Sequence, residues 1–225
     1  VRDTPPIIVV PQKQDEERWN KLPGELVAAQ AKVNERKSTG RGEFDQWLST
    51  ATVDVFAGKI PVEGLVLKAP FTEGSGSVAK VEVAGQPRDL ALSDKAKWQP
   101  GKVSAQGLLI DSGAAAEIAD VGDFEKDQAF TVATWIRVAP NDSNGAVVAR
   151  MDEANGHRGW DLWVEGRRVG MHIVSTWPGD ALKVVTKAQV PGNEWVHVVA
   201  AYDGTGAPEG VKIYVNGKLE PTNTP

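Results

Sequence analysis

The sequence predicts an all-β protein, a two-sheet antiparallel jelly-roll sandwich, preceded by a short α-helical segment. Three observations predict it. From Val53 onward, short runs of β-type residues are separated by Gly, Pro, Asn and Asp, at the spacing of a sandwich or barrel. Ten such runs are present, more than a minimal immunoglobulin-like domain needs and suited to two packed sheets. Before Val53 the texture is helical, with helix formers from Glu25 to Lys37, Pro23 near the start and Gly40 past the end.

Taken in order, Val1 to Gln14 carries TPPIIVVPQ, whose prolines favour an extended lead-in over a packed strand. The helix over Glu25 to Lys37 follows. In EFDQWLSTA, Phe44, Trp47, Leu48 and Ala51 fall at i, i+3, i+4 and i+7, the spacing of a short second helix burying one aromatic stripe. The strands are expected at Gly64 to Phe71, Ser77 to Val83, Ala105 to Asp111, Ala129 to Val138, Ala146 to Met151, Gly159 to Val164, Arg168 to Ser175, Leu182 to Thr186, Glu194 to Tyr202 and Val211 to Val215. Asn216-Gly217 then supplies the two positive φ values of a tight hairpin turn, with a return strand beginning at Lys218. Beyond it, LEPTNTP offers little to pair, so the last strand is either missing or replaced by an earlier one.

Composition narrows the function classes. The chain is 41% hydrophobic and 24% charged, as in a globular protein with a sizeable core. A net charge of -5 argues against a nucleic-acid partner, which needs a concentrated basic face. Cysteine is absent, which removes disulfides, thiolate nucleophiles and cysteine-ligated metals together. No apolar run approaches the roughly 20 residues of a membrane span. The chain begins at Val rather than Met, which reads as a mature product or an excised segment.

The stretch GWDLWVEGRRVGMHIVSTW, from Gly159 to Trp177, holds three of the 8 tryptophans. Alternation along a strand sends Trp160, Leu162 and Val164 to one face and Asp161, Trp163 and Glu165 to the other. In the returning strand Val169, Met171 and Ile173 alternate with Gly170, His172 and Val174. If the apolar sets share the core, His172 and the gap at Gly170 lie beside Trp163 on the open face. Trp160 is then core, and Trp163 is the ligand candidate, with a half-buried structural role as the alternative. Trp177, before Pro178-Gly179, belongs to a loop at the sheet rim, where it either caps the core edge or projects. Trp135 points away from the core with Thr131 and Arg137; Trp195 reads as structural.

FTVATWIRV, GWDLWVEGRRVGMHI, EWVHVVAAYDG and GVKIYVNGK, in this order and spacing, resemble the laminin-G-like, concanavalin A-like lectin/glucanase superfamily. The matching positions include Phe130, Thr131, Trp135, Trp195, His197, Val198, Tyr202, Asp203, Gly204, Tyr214, Asn216 and Gly217. The resemblance covers roughly Leu65 to Lys218. GWDLWV followed by MHIVSTWPGDALKV is similar to the laminin-G-like module inside large planctomycete multidomain surface proteins associated with cytochrome-like domains. On that resemblance, residues 1–52 read as an extended lead-in and helices, the tail of a preceding domain, and residues 53–225 as the sandwich. It further implies an extracytoplasmic location, neighbouring domains of the same polypeptide as partners and, lacking the family's usual closing strand, an internal fragment. The C-x-x-C-H of the cytochrome-like relatives is absent, so no haem chemistry carries over.

Catalytic chemistry is mostly argued against. Glycanases need paired carboxylates about 5 to 10 Å apart, and the E-x-D-x-x-E strand motif of the glucanases is not present. Asp161 and Glu165 share a face but stand roughly 13 Å apart at strand rise. There is no G-x-S-x-G elbow, and His157, His172 and His197 are the only histidines. His197 matches a structural strand position of the family. Calcium is a candidate cofactor, because many laminin-G-like domains hold one at the rim; Asp152, Glu153 and Asn155 in one turn and Asp142 and Asn144 in another carry suitable oxygens. Both segments also read as ordinary turns.

Three functions remain. The first is a non-catalytic carbohydrate-binding module for a glycan or cell-surface polysaccharide, with Trp163 and Trp177 stacking on sugar faces while Asp161, His172 and Arg158 bond to hydroxyls. The second is a structural or protein-interaction spacer. The third and weakest is a glycanase.

Overall fold

The computed structural model of the chain describes residues 11–52, 62–110, 113, 116–141 and 144–224. The chain divides into two compact units, Val1–Glu63 and Gly64–Pro225. Most of the expected lead-in, the boundary between 52 and 53 on its carboxyl side, and Asp111 and Asp142 lie outside the described residues.

The first unit holds one α-helix, α1 (Glu16–Thr50), where two were expected. Pro23 falls inside it, removing one backbone donor without stopping it. Gly40 was expected to end the first helix, but a single glycine costs only about 1 kcal/mol relative to alanine. Ion pairs flank this point: Arg36 reaches Glu43 at 2.7 Å and Arg41 reaches Asp45 at 3.0 Å. The rings of Phe44 and Trp47 meet at 5.7 Å, yet α1 contains no buried residue. The expected burial of that stripe is not seen.

The second unit begins with an antiparallel sheet of β1 (Leu67–Lys68), β2 (Val78–Val83) and β3 (Gln86–Ala91), and a hairpin of β4 (Ala96–Pro100) and β5 (Gln106–Ile110). These share a small core of Ala79, Val81, Leu90 and Leu92, with Leu67, Phe71, Trp98 and Leu108 packed against it. β3 and β4 are additions to the expected strands. In β3 only Leu90 is buried, so no alternation announces it.

The sandwich follows. One sheet has β14 (Thr222–Asn223), β10 (Asp180–Thr186), β9 (Arg168–Thr176), β8 (Arg158–Glu165) and β7 (Gly145–Asp152) in that spatial order. The other has β13 (Lys218–Leu219), β12 (Val211–Val215), β11 (Trp195–Tyr202) and β6 (Phe130–Arg137). All pairings are antiparallel. Their facing sides merge in one core. Leu162, Val169, Met171 and Val184 come from the first sheet, and Val196, Val198, Ala200 and Ile213 from the second. Each fully buried aliphatic side chain contributes about 1.5–3 kcal/mol.

Two local devices hold this frame. Gly159 adopts φ +133 where β8 meets β7, and a Cβ there would fall 1.9 Å from the Arg150 carbonyl oxygen, so only glycine fits. The Tyr202 hydroxyl donates to the Lys126 carbonyl and accepts the Gly206 N–H at 2.7 Å. Beside it, Asp203 accepts the Thr205 hydroxyl at 2.7 Å and its N–H at 3.0 Å, and these bonds hold the carboxyl below its ordinary range. Asn216 (φ 50) and Gly217 (φ 77) make the expected hairpin turn. The awkward tail then closes both sheets, β13 pairing with β12 and β14 with β10.

Candidate functional site

The site is built on β8, β9 and β10. Their side chains alternate as the period-two pattern requires. Trp160 is 6% exposed in the core, packed 5.0 Å from the Phe130 ring. Its Nε1 donates to the Gly122 carbonyl at 2.7 Å, which satisfies the one polar atom that burial would otherwise strand. Trp163, of opposite parity, is only partly buried.

Strand register brings the outward residues together in rows. Asp161 stands opposite His172, which stands opposite Lys183; Trp163 stands opposite Gly170, and Gly170 opposite Val185; Glu165 stands opposite Arg168. The His172 ring meets Trp163 edge-on at 6.1 Å and Trp177 edge-on at 5.6 Å. Trp177 lies in the β9–β10 turn, 44% exposed, with its backbone N–H bonded to the Gly156 carbonyl at 2.8 Å. The three rings thus form one cluster, as alternation implied for two of them.

Two of the five candidate residues act differently from expectation. Asp161 is 4% exposed and does not reach out for sugar hydroxyls. Its Oδ1 lies 2.8 Å from His172 Nδ1 and accepts the His172 backbone N–H at 3.1 Å. A buried carboxylate must be bonded, and its neighbour across the ladder supplies both donors. With that carboxylate as acceptor, Nδ1 carries the hydrogen, and in that tautomer Nε2 is the acceptor. Asp161 is therefore a positioning residue for His172. Arg158 shares the parity of Trp160 and bonds Glu125 at 2.6 Å, apart from the aromatic cluster.

Lys183 was missed in the sequence, although the same alternation along β10 puts it outward. Its ammonium reaches Glu165 at 3.1 Å, and between their partners on β9 stands Gly170, which has no side chain. The carboxylates Asp161 and Glu165 are thus each engaged with a separate base.

Of the calcium candidates, Asp142 lies outside the described residues, and two of the others are engaged within turns. Asp152 Oδ1 accepts the Ala154 N–H at 3.1 Å and Asn144 Oδ1 accepts the Gly166 N–H at 2.8 Å, which is turn chemistry. Among the described residues no group of three His, Cys, Asp or Glu is gathered to hold a metal ion.

The outward face of the four-stranded sheet carries the other aromatic pair. Trp135 and His197 lie 5.3 Å apart, and the Arg137 guanidinium sits 5.2 Å over the Trp195 ring. Here the β4–β5 hairpin approaches: Gln99 accepts a bond from Arg137 at 3.4 Å, and a Cβ on Gly107 would lie 3.6 Å from the Trp195 ring. The structural reading of Trp195 fits this cover.

Among the described residues no helix is long and apolar enough to cross a membrane. No curated protein matches the chain. A laminin-G-like family model, described as concanavalin A-like lectin/glucanases superfamily, matches residues 111–225. That span exceeds half the chain and holds every strand of the sandwich, with its aromatic outward face; the chain belongs to the concanavalin A-like lectin/glucanases superfamily.

Proposed function

We propose that the second unit is a non-catalytic carbohydrate-binding module of a larger extracytoplasmic protein. One observation carries the reading: Trp163, His172 and Trp177 form an edge-to-face cluster on the outward face of the five-stranded sheet, with Trp177 44% exposed. Aromatic faces take the apolar side of a sugar ring, and Nε2 of an anchored imidazole accepts from a hydroxyl. Engagement of Asp161 by His172 and of Glu165 by Lys183 supports binding without hydrolysis, since neither carboxylate pairs with a second one. The extracytoplasmic setting rests on the resemblance to surface-protein modules.

The test is a titration of the chain with a panel of polysaccharides, followed by tryptophan fluorescence, in the wild type and in Trp163→Ala and Trp177→Ala. Binding by the wild type that weakens in both variants supports the reading. No response to any glycan leaves the spacer role in its place. Release of reducing ends from the same panel would restore the glycanase.

A further inference from the structure

Next to Trp163 on the same outward face lies a shallow pocket of about 290 Å³, lined by Glu165, Arg168, Lys183, Val185, Thr186 and Asn223. Resting on the carbohydrate-binding reading, we propose that the ligand is an acidic polysaccharide, with the carboxylate or sulfate group of one sugar unit seated between Arg168 and Lys183 while the ring of a neighbouring unit covers Trp163.

The placement follows from the register. Val185, on the pocket wall, closes the row that runs through Gly170 to Trp163, two strand spacings or about 10 Å away. Lys183 stands one row to one side and Arg168 one row to the other. Gly170 leaves the middle of β9 without a side chain, and the Val185 methyl leans into that gap, 3.3 Å from where a Cβ would stand, giving an apolar floor between the indole and the pocket.

Charge points the same way. The chain as a whole carries -5, but Arg167 and Arg168 stand in and beside the β8–β9 turn, and Arg168 and Lys183 line the pocket with Glu165. Arg167 is engaged elsewhere, donating to Gln189 at 2.8 Å. The Arg168 Nε donates to the Lys187 carbonyl at 3.2 Å. Its terminal nitrogens have no hydrogen-bond partner among the described residues, and a guanidinium fork matches a carboxylate or sulfate in two parallel bonds. Lys183, its side chain 27% exposed, is held by Glu165, whose side chain is 54% exposed. On the carboxylate side the pair meets water, which weakens it, so a ligand anion can take the place of Glu165 beside the ammonium. A neutral glycan would offer these cations only hydroxyl acceptors, which make weaker bonds than an anion does.

The experiment uses the full chain and matched polymers: polygalacturonate against its fully methyl-esterified form, and dextran sulfate against dextran. The expected result is binding at least tenfold tighter to one acidic polymer than to its neutral counterpart, the responding pair separating carboxylate from sulfate. The preference should shrink as salt rises, and disappear in Arg168→Gln/Lys183→Gln with the melting temperature unchanged. Trp163→Ala should weaken binding of the acidic polymer as well. Equal affinity for charged and neutral forms, or a preference that survives the double variant, overturns the proposal while the carbohydrate-binding reading stands. Acidic polymer held undiminished by Trp163→Ala overturns it too, since the anion then sits elsewhere. No binding to any polymer overturns the carbohydrate-binding reading itself, and this inference with it.

Discussion

Both sheets of the sandwich present a tryptophan and a histidine on their outward faces, and the two faces are built differently. On the five-stranded sheet the imidazole of His172 is clamped by a buried carboxylate between two indoles. On the four-stranded sheet His197 packs against Trp135, its backbone N–H bonded to Asn216 at 2.9 Å, and the β4–β5 hairpin leans on the neighbouring Trp195 and Arg137. Residue type alone therefore does not mark a binding face. What distinguishes the first is a buried carboxylate that anchors an imidazole between two indoles.

The difference can be broken at four points. The largest effect belongs to neither outward face: Trp160→Ala should cost about 3–5 kcal/mol in urea unfolding, since it removes a core indole and its bond to Gly122. Next, Asp161→Ala leaves two His172 donors unpaired and should cost about 1–3 kcal/mol, with glycan affinity falling because the ring loses its orientation. Trp163→Ala should barely change stability, yet lose about 2 kcal/mol of binding, roughly thirtyfold in Kd. Trp135→Ala, its counterpart on the other face, should leave glycan binding unchanged; a comparable loss there would erase the distinction.

The smallest effect lies outside both faces and serves as a control. Hydrogen bonds from Arg88, at 2.7 and 2.8 Å, hold the Asp120 carboxyl below its ordinary range. A carboxyl depressed in the folded state stabilises above its unfolded pKa, and that contribution is lost as pH falls through the folded value. Arg88→Gln should therefore lower the urea midpoint slightly at pH 7 and not at pH 2. The pair is exposed, so the shift is small and screened by salt.

Much of this was legible in the chain itself. Period-two alternation separated Trp160 from Trp163 and put His172 beside the latter, because a strand leaves its side chains no other choice. The expected role of Arg158 went against the same rule, since it shares the parity of Trp160, and Lys183 was overlooked although the rule puts it outward. The bond between Asp161 and His172 was not legible, because alternation gives a face and not a contact. β3 was hidden by having one buried position, Leu90, and while the return strand at Lys218 was expected, the two-residue β14 within LEPTNTP is too short to carry a period. In α1 Gly40 read as a stop, but the helix formers on both sides outweigh it.

The most direct measurement is a two-dimensional ¹H–¹⁵N spectrum of the 8 indole N–H groups, recorded as polygalacturonate or dextran sulfate is added. The account predicts that the Trp163 and Trp177 resonances move together and saturate, while those of Trp135, Trp160 and Trp195 stay in place. Movement of Trp135 or Trp195 with Trp163 and Trp177 unmoved would contradict it.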